Sequence, residues 1–257
     1  ILASSPKTLT VYHNDYTTPV YQTKISEGFS FSLNNIAGLP ADTLYYTDKE
    51  FRNQYTSFVM EDDLVLYARR KYTITVQNSH GETVTYTDYQ GKEVNIAQPA
   101  TPPVYDDGNI RITYSFGGFS QTITSIPNQD KTISVIWNED VKHYYTVSFN
   151  TTWVKPSTWR DNNSALSGKT TCKSPATSIA SVKLLEGTSF NSDDYVSYAT
   201  YSYQAVGISA TYNFKTLGWN TSGSENVTDG VSNYGYESVG TFEITGNVTL
   251  YGIWGKA

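Results

Sequence analysis

The chain has 257 residues, a formal charge of -6 and 16% charged residues, against 14% aromatics from 22 Tyr, 10 Phe and 5 Trp. Affinity for a phosphate backbone depends on clustered Lys and Arg, so nucleic acid is not an expected partner. One cysteine, Cys172, rules out an intrachain disulfide, and stability must come from burial and hydrogen bonding.

The aromatic, Thr- and Val-rich composition favours strands over helices. The first alternating run carries Leu9 and Val11, a period of two with one apolar face that predicts a half-buried strand. Gly28, three residues before Phe31, reads as a turn into a second strand. Asp62-Asp63 reads as a turn into the alternating run Leu64-Val65-Leu66-Tyr67-Ala68. The same order of features then returns, with Tyr72, Ile74 and Val76, next Gly91 and Val94, and then Asn128-Gln129-Asp130 before Ile133-Ser134-Val135-Ile136-Trp137. A third copy runs through Tyr145, Val147 and Phe149, Gly187 and Phe190, and Gly246-Asn247 before Leu250-Tyr251-Gly252-Ile253-Trp254.

Self-similarity on this scale is the mark of a tandem array. The expected organisation is all-β, with three small modules at residues 7–70, 71–141 and 142–257. The third is enlarged by insertions near 153–180 and 191–212, which are expected to carry strands or ordered loops of their own. Near Arg70-Lys71 and Val141-Lys142 a closing strand passes into the next opening strand with hardly any linker, so the expected array is elongated and stiff. Arg69, Arg70 and Lys71 form the one basic cluster and read as a solvated linker.

The third copy carries Tyr144-Tyr145-Thr146-Val147-Ser148-Phe149-Asn150, Leu217-Gly218-Trp219-Asn220-Thr221 and Gly246-Asn247-Val248-Thr249-Leu250-Tyr251-Gly252-Ile253-Trp254. These segments resemble the Listeria–Bacteroides repeat, the B-repeat of internalin-type surface proteins, with Gly252 in place of the usual Ala. The second copy has Phe119 where that family has Trp and keeps Trp137, without the Leu-Tyr pair before it. The first keeps Tyr45-Tyr46-Thr47-Asp48 and Leu66-Tyr67-Ala68, with Arg70 in place of the final Trp. The resemblance implies a β-grasp-like module with a reduced helix, repeated along an exported bacterial protein as spacer or adhesive segment, and it implies no enzyme activity.

Residues that carry chemistry are sparse. His13, His80 and His143 have no zinc-ligand spacing, and no nucleotide loop or nucleophile elbow occurs. Glu27, Glu61, Asp106, Asp107, Glu186, Asp193 and Glu225 offer carboxylates from which a hydrolytic pair would have to be drawn. The pairs Asp62-Asp63, Asp106-Asp107 and Asp193-Asp194 suit calcium chemically but read first as turn formers. Cys172 has no His near it in sequence and reads as an inert thiol. The expectation is no catalysis, no cofactor and no metal.

Trp137, Trp219 and Trp254 are expected core anchors. The insertions gather Trp153, Trp159, Tyr198, Tyr201 and Tyr203, and aromatics on loops of a rigid scaffold make these the candidate binding residues if they face solvent. No apolar run approaches the roughly 18 residues of a membrane span, so membrane insertion is not expected. Residues 1–6 lack signal-peptide regions, and any targeting segment is expected to lie elsewhere. The expected role is a spacer or adhesive segment, extracellular or on the cell surface, with a host or cell-surface protein or a glycan as partner. The alternative is a carbohydrate- or peptide-binding module using the third copy's insertions.

Overall fold

The computed structural model describes residues 5–152 apart from 35 and 37, then 170–173, 176–205, 208–223, 227–228, 231–232 and 237–257. The fold is all-β, and among the described residues no α-helix occurs. By compactness the chain forms two units, Ile1–Pro103 with Tyr114–Glu139, and Val104–Thr113 with Asp140–Ala257.

In the first unit, β1 (Pro6–Tyr12) and β2 (Tyr21–Ser26) form an antiparallel hairpin. β3 (Leu44–Tyr46) lies antiparallel to β4 (Leu64–Arg69), and β4 lies parallel to β1, giving the order β2-β1-β4-β3. The alternation of β1 and β4 places Leu9, Val11, Leu66 and Ala68 inside, where they pack with Leu33, Ile36, Leu39, Tyr45 and Met60. Burial pushes the Tyr45 phenol up to about 12.

The second stretch repeats this arrangement. β5 (Lys71–Gln77) and β6 (Val84–Tyr89) are an antiparallel hairpin. β7 (Tyr105–Asp106) pairs with β8 (Ile110–Phe119), and β8 with β9 (Lys131–Asn150). The first half of β9 runs parallel to β5, so the order is β6-β5-β9-β8. Tyr72, Ile74, Val76, Ile126, Ile133 and Val135 are its core.

The second unit uses the other half of β9 as an opening strand. After β10 (Thr170–Lys173), β11 (Val182–Leu185) pairs antiparallel with β9 from Tyr144 to Val147. β12 (Ser189–Asn191) and a 3-10 turn at Ser192–Asp194 lead to β13 (Tyr198–Ala205) and β14 (Ile208–Asn220), an antiparallel pair in which β13 also takes up β10. β15 (Val227–Thr228) pairs with β16 (Val231–Ser232), and β17 (Thr241–Glu243) with β12. β18 (Val248–Lys256) lies antiparallel to β14 and parallel to β9, so β11-β9-β18-β14 has the order of the two earlier sets. Val147, Phe190, Trp219, Ile244 and Leu250 form one core and Ala199, Phe214 and Trp254 a second.

Smaller features recur as well. Gly28, Gly91 and Gly187 have φ of 84°, 82° and 84°, in the left-handed region that glycine enters without a Cβ penalty. Each follows the strand that pairs antiparallel with the opening strand, and donates its N–H to a distant carbonyl, that of Met60, Ile126 and Ile244, at 2.7, 2.8 and 2.8 Å. Before each closing strand a side-chain oxygen accepts a backbone N–H of the opening strand: Asp63 from Thr8, Asp130 from Thr73 and Asn247 from Thr146, at 2.8, 2.8 and 2.9 Å.

Candidate functional site

The described portion of the second insertion forms a hollow at the start of β13. Ser197 is fully buried with its polar groups satisfied: its N–H donates to Thr216 Oγ1, its carbonyl accepts the Thr216 N–H and its hydroxyl donates to the Thr177 carbonyl. Alternation about this fixed point turns Val196 and Tyr198 outward. On β14 the register against β18 shifts between Thr216 and Gly218, and such a bulge re-aims a side chain. Leu217 is the residue it re-aims. Tyr198 and Leu217 are each 56% exposed and Val196 38%, a high exposure for three large apolar side chains around one hollow. The hollow has a volume of about 240 Å³, with Asp193 and Lys215 as its charged lining.

Its walls are tied to the core. Trp219 is fully buried and its indole N–H donates to the Tyr195 carbonyl at 2.9 Å. Phe149 stacks on Tyr195 at 4.8 Å and meets Trp219 edge-on at 4.9 Å. Asp193 accepts from the Ser238 hydroxyl at 2.7 Å, and the same oxygen of Ser238 accepts the backbone N–H of Trp219. A Cβ at Gly218 would stand 2.5 Å from that of Ser238, so this close approach requires glycine.

Of the five candidate binding aromatics, Tyr198 lies on this surface. Tyr201 and Tyr203 sit in β13 opposite Tyr212 and Ala210, and their side chains lie outside the described residues, as do Trp153 and Trp159 entirely. Of the three expected anchors, Trp219 and Trp254 are buried. Trp137 is half-buried; it packs edge-on against Phe116 at 6.0 Å and donates its indole N–H to the Asn78 side chain at 2.8 Å. Val196, Lys215 and Leu217 were not foreseen as lining residues. The signal was present in Leu217-Gly218-Trp219, where a buried Trp and a glycine without room for a Cβ leave the Leu facing out.

The carboxylates of these turns are taken up by nearby backbone and side-chain donors. Asp63 holds the Thr8 N–H. Asp106 accepts from Gly108 N–H, and Asp107 from the N–H groups of Asn109 and Ile110. The Tyr144 hydroxyl, with the Gly108 N–H and Arg111, holds Asp106 below the ordinary carboxylate range. Glu186 accepts from the Tyr145 hydroxyl at 3.4 Å. Among the described residues no group of three or more His, Cys, Asp or Glu is placed to hold a metal ion. Cys172 stands in β10, its side chain outside the described residues, and Glu225 lies outside them altogether.

Two residues of the basic cluster, Arg69 and Arg70, are half-buried in a joint rather than fully solvated. Arg69 donates to the Gln90 carbonyl and the Tyr46 hydroxyl, with its guanidinium within 5.9 Å of the ring centres of Tyr46, Phe51 and Tyr89. Arg70 lies over Tyr72 at 5.2 Å, and Lys71 over Tyr89 at 5.2 Å while pairing with Asp42. Aromatic rings brought from both sides of the junction stand against Arg69 and Arg70, while Lys71 stays exposed to solvent. No family model matches the chain, and no curated protein matches it.

Proposed function

We propose that the chain is a non-catalytic structural and adhesive segment of a secreted or cell-surface bacterial protein, made of three tandem β-grasp-like modules at 7–70, 71–141 and 142–257. The observation that carries this reading is the threefold return of one arrangement: an antiparallel partner to the opening strand, a glycine turn at φ near +83°, and a closing strand parallel to the opening one. Each copy has buried residues of its own, as a tandem array of small units requires. The resemblance of Tyr144-to-Asn150, Leu217-to-Thr221 and Gly246-to-Trp254 to the Listeria–Bacteroides repeat supports the same role. An antibody against this chain is expected to label intact producing cells, and labelling that requires permeabilisation would contradict a surface location.

A second reading, a carbohydrate- or peptide-binding module in the third copy, is favoured by the exposed Val196, Tyr198 and Leu217 around one hollow. Exposed aromatics give contact area at low entropic cost. An array of glycans and extracellular-matrix peptides probed with the wild type and with Tyr198→Ala tests it. Binding that survives both Tyr198→Ala and Leu217→Ala places the contact elsewhere.

A further inference from the structure

In chain order the parallel pairings stand in series. β1 pairs with β4 from Leu9 with Leu64 to Tyr12 with Tyr67. β5 pairs with β9 from Ile74 with Lys131 to Gln77 with Ser134. β9 pairs with β18 from Val147 with Val248 to Asn150 with Tyr251. Arg70 alone separates β4 from β5, and β9 closes the second pair and opens the third.

Tension along the chain therefore enters each pair at the N-terminal end of its opening strand and leaves at the C-terminal end of its closing strand. Because the strands are parallel, these points lie at opposite ends of the ladder. The pull runs along the strand axis, and every ladder bond between them is loaded together. In an antiparallel hairpin pulled at its open end, the bonds break singly and in succession.

We infer that the chain bears tensile load, each of its three parallel strand pairs acting as a shear clamp; this rests on the structural role proposed above. The clamps are backed by core. Leu9, Val11, Leu66, Ile74, Val147 and Leu250 are fully buried, so water does not reach those faces to replace a stretched bond. The entry point of each clamp carries an added tie, from Thr8 N–H to Asp63, from Thr73 N–H to Asp130 and from Thr146 N–H to Asn247. Each tie lies at the end of the opening strand where the pull arrives, and it bridges to the residue just before the closing strand.

The test is single-molecule extension of the full chain, with Cys172→Ser to leave only introduced thiols. One version is held at its two termini and the other by Pro6→Cys and Ser26→Cys, which are register partners across the β1–β2 hairpin. Extended chain spans up to about 3.6 Å per residue, so the terminal pull is expected to release about 200 Å in each of two steps and about 400 Å in a third. The expected force in those steps is several-fold above that of the hairpin pull. Asp63→Ala is expected to lower the force of one shorter step, and Asp63→Asn, which keeps an acceptor oxygen, to restore it. The released lengths at a force no higher than the hairpin pull would overturn the clamps and leave the three-module reading standing. Released lengths that match no such division would sink both.

Discussion

A left-handed glycine stands at the same point of each of the three strand sets, and its role is backbone geometry rather than space. Nothing stands within 4 Å of a Cβ built on Gly28, so Gly28→Ala is expected to cost only the strain of its positive φ, about 1–2 kcal/mol. Gly28→Asn, whose side chain tolerates that region, is expected to cost less; urea midpoints of the two variants check the order. The glycines were legible in sequence because an apolar residue follows each at a fixed distance. Their partners Met60, Ile126 and Ile244 were not, since the hydrogen bond that selects them closes a long loop. The tryptophans divide in the same way. Trp219 is wholly enclosed, and Trp219→Ala is expected to cost about 3–5 kcal/mol, whereas Trp137→Ala, at a half-buried ring, is expected to cost less. A thermal melt in which the two substitutions act equally would contradict that ranking. Aromatic type alone could not separate them, because the difference lies in whether a neighbouring segment covers the ring.

Between elements, the joint of the first two strand sets holds His13, a half-buried histidine. His13 follows β1, and its Nε2 stands 2.9 Å from the Tyr72 hydroxyl on β5. Asn14 donates to that hydroxyl at 3.4 Å and to the Asn128 carbonyl at 3.0 Å, and accepts from Gln90 at 3.2 Å. Burial and the Arg70 guanidinium lower the His13 pKa from 6.5, while Gln90 raises it. Of the other charged groups at the joint, Asp15 accepts from Thr17, Asp88 pairs with Lys92, Lys71 with Asp42, and Asp130 accepts from Thr73. Nε2 of a neutral ring can accept a hydrogen bond from the Tyr72 hydroxyl, whereas a protonated ring can only donate there and stands as a second cation beside Arg70. Because the folded value lies below the unfolded one, the unfolded chain binds more protons in between. The contribution is complete above 6.5 and is lost as pH falls from there through the folded value. His13→Gln is therefore expected to flatten the melting temperature between about pH 7.5 and pH 5, and a wild-type slope retained in that variant would assign the dependence elsewhere. Sequence showed His13 beside a strand but not Tyr72 or Arg70 against it, so neither the joint nor the engagement of Arg69-Arg70-Lys71 was legible there.

At the scale of the whole molecule, the all-β class was legible because it is written locally, in alternation and turn residues. What groups the first two strand sets into one compact unit was not, since it depends on contacts such as Asn14 with Tyr72 and Asn128, far apart in the chain. The parallel pairing of opening and closing strands was equally hidden, because alternation fixes a strand's faces and not its neighbour. The hollow beside Tyr198 required a bulge that only the β14–β18 register reveals. Each unit has its own buried clusters, Leu9 to Ala68 and Tyr72 to Val135 in the first, and Val147 to Leu250 with Ala199, Phe214 and Trp254 in the second. Cooperative units with separate cores open with separate free energies. Leu250 is fully buried beside Val147 and Trp219, so Leu250→Ala is expected to cost about 2–5 kcal/mol, confined to the second unit. Native-state hydrogen exchange reads this directly, because the amides of Gly187 and Ile244 belong to that unit and those of Gly28 and Gly91 to the first, all four being hydrogen-bonded to backbone carbonyls. The expected outcome is loss of protection at Gly187 and Ile244 with protection at Gly28 and Gly91 unchanged. Equal loss at all four would mean that β9, which passes from one unit to the other, makes them a single cooperative structure.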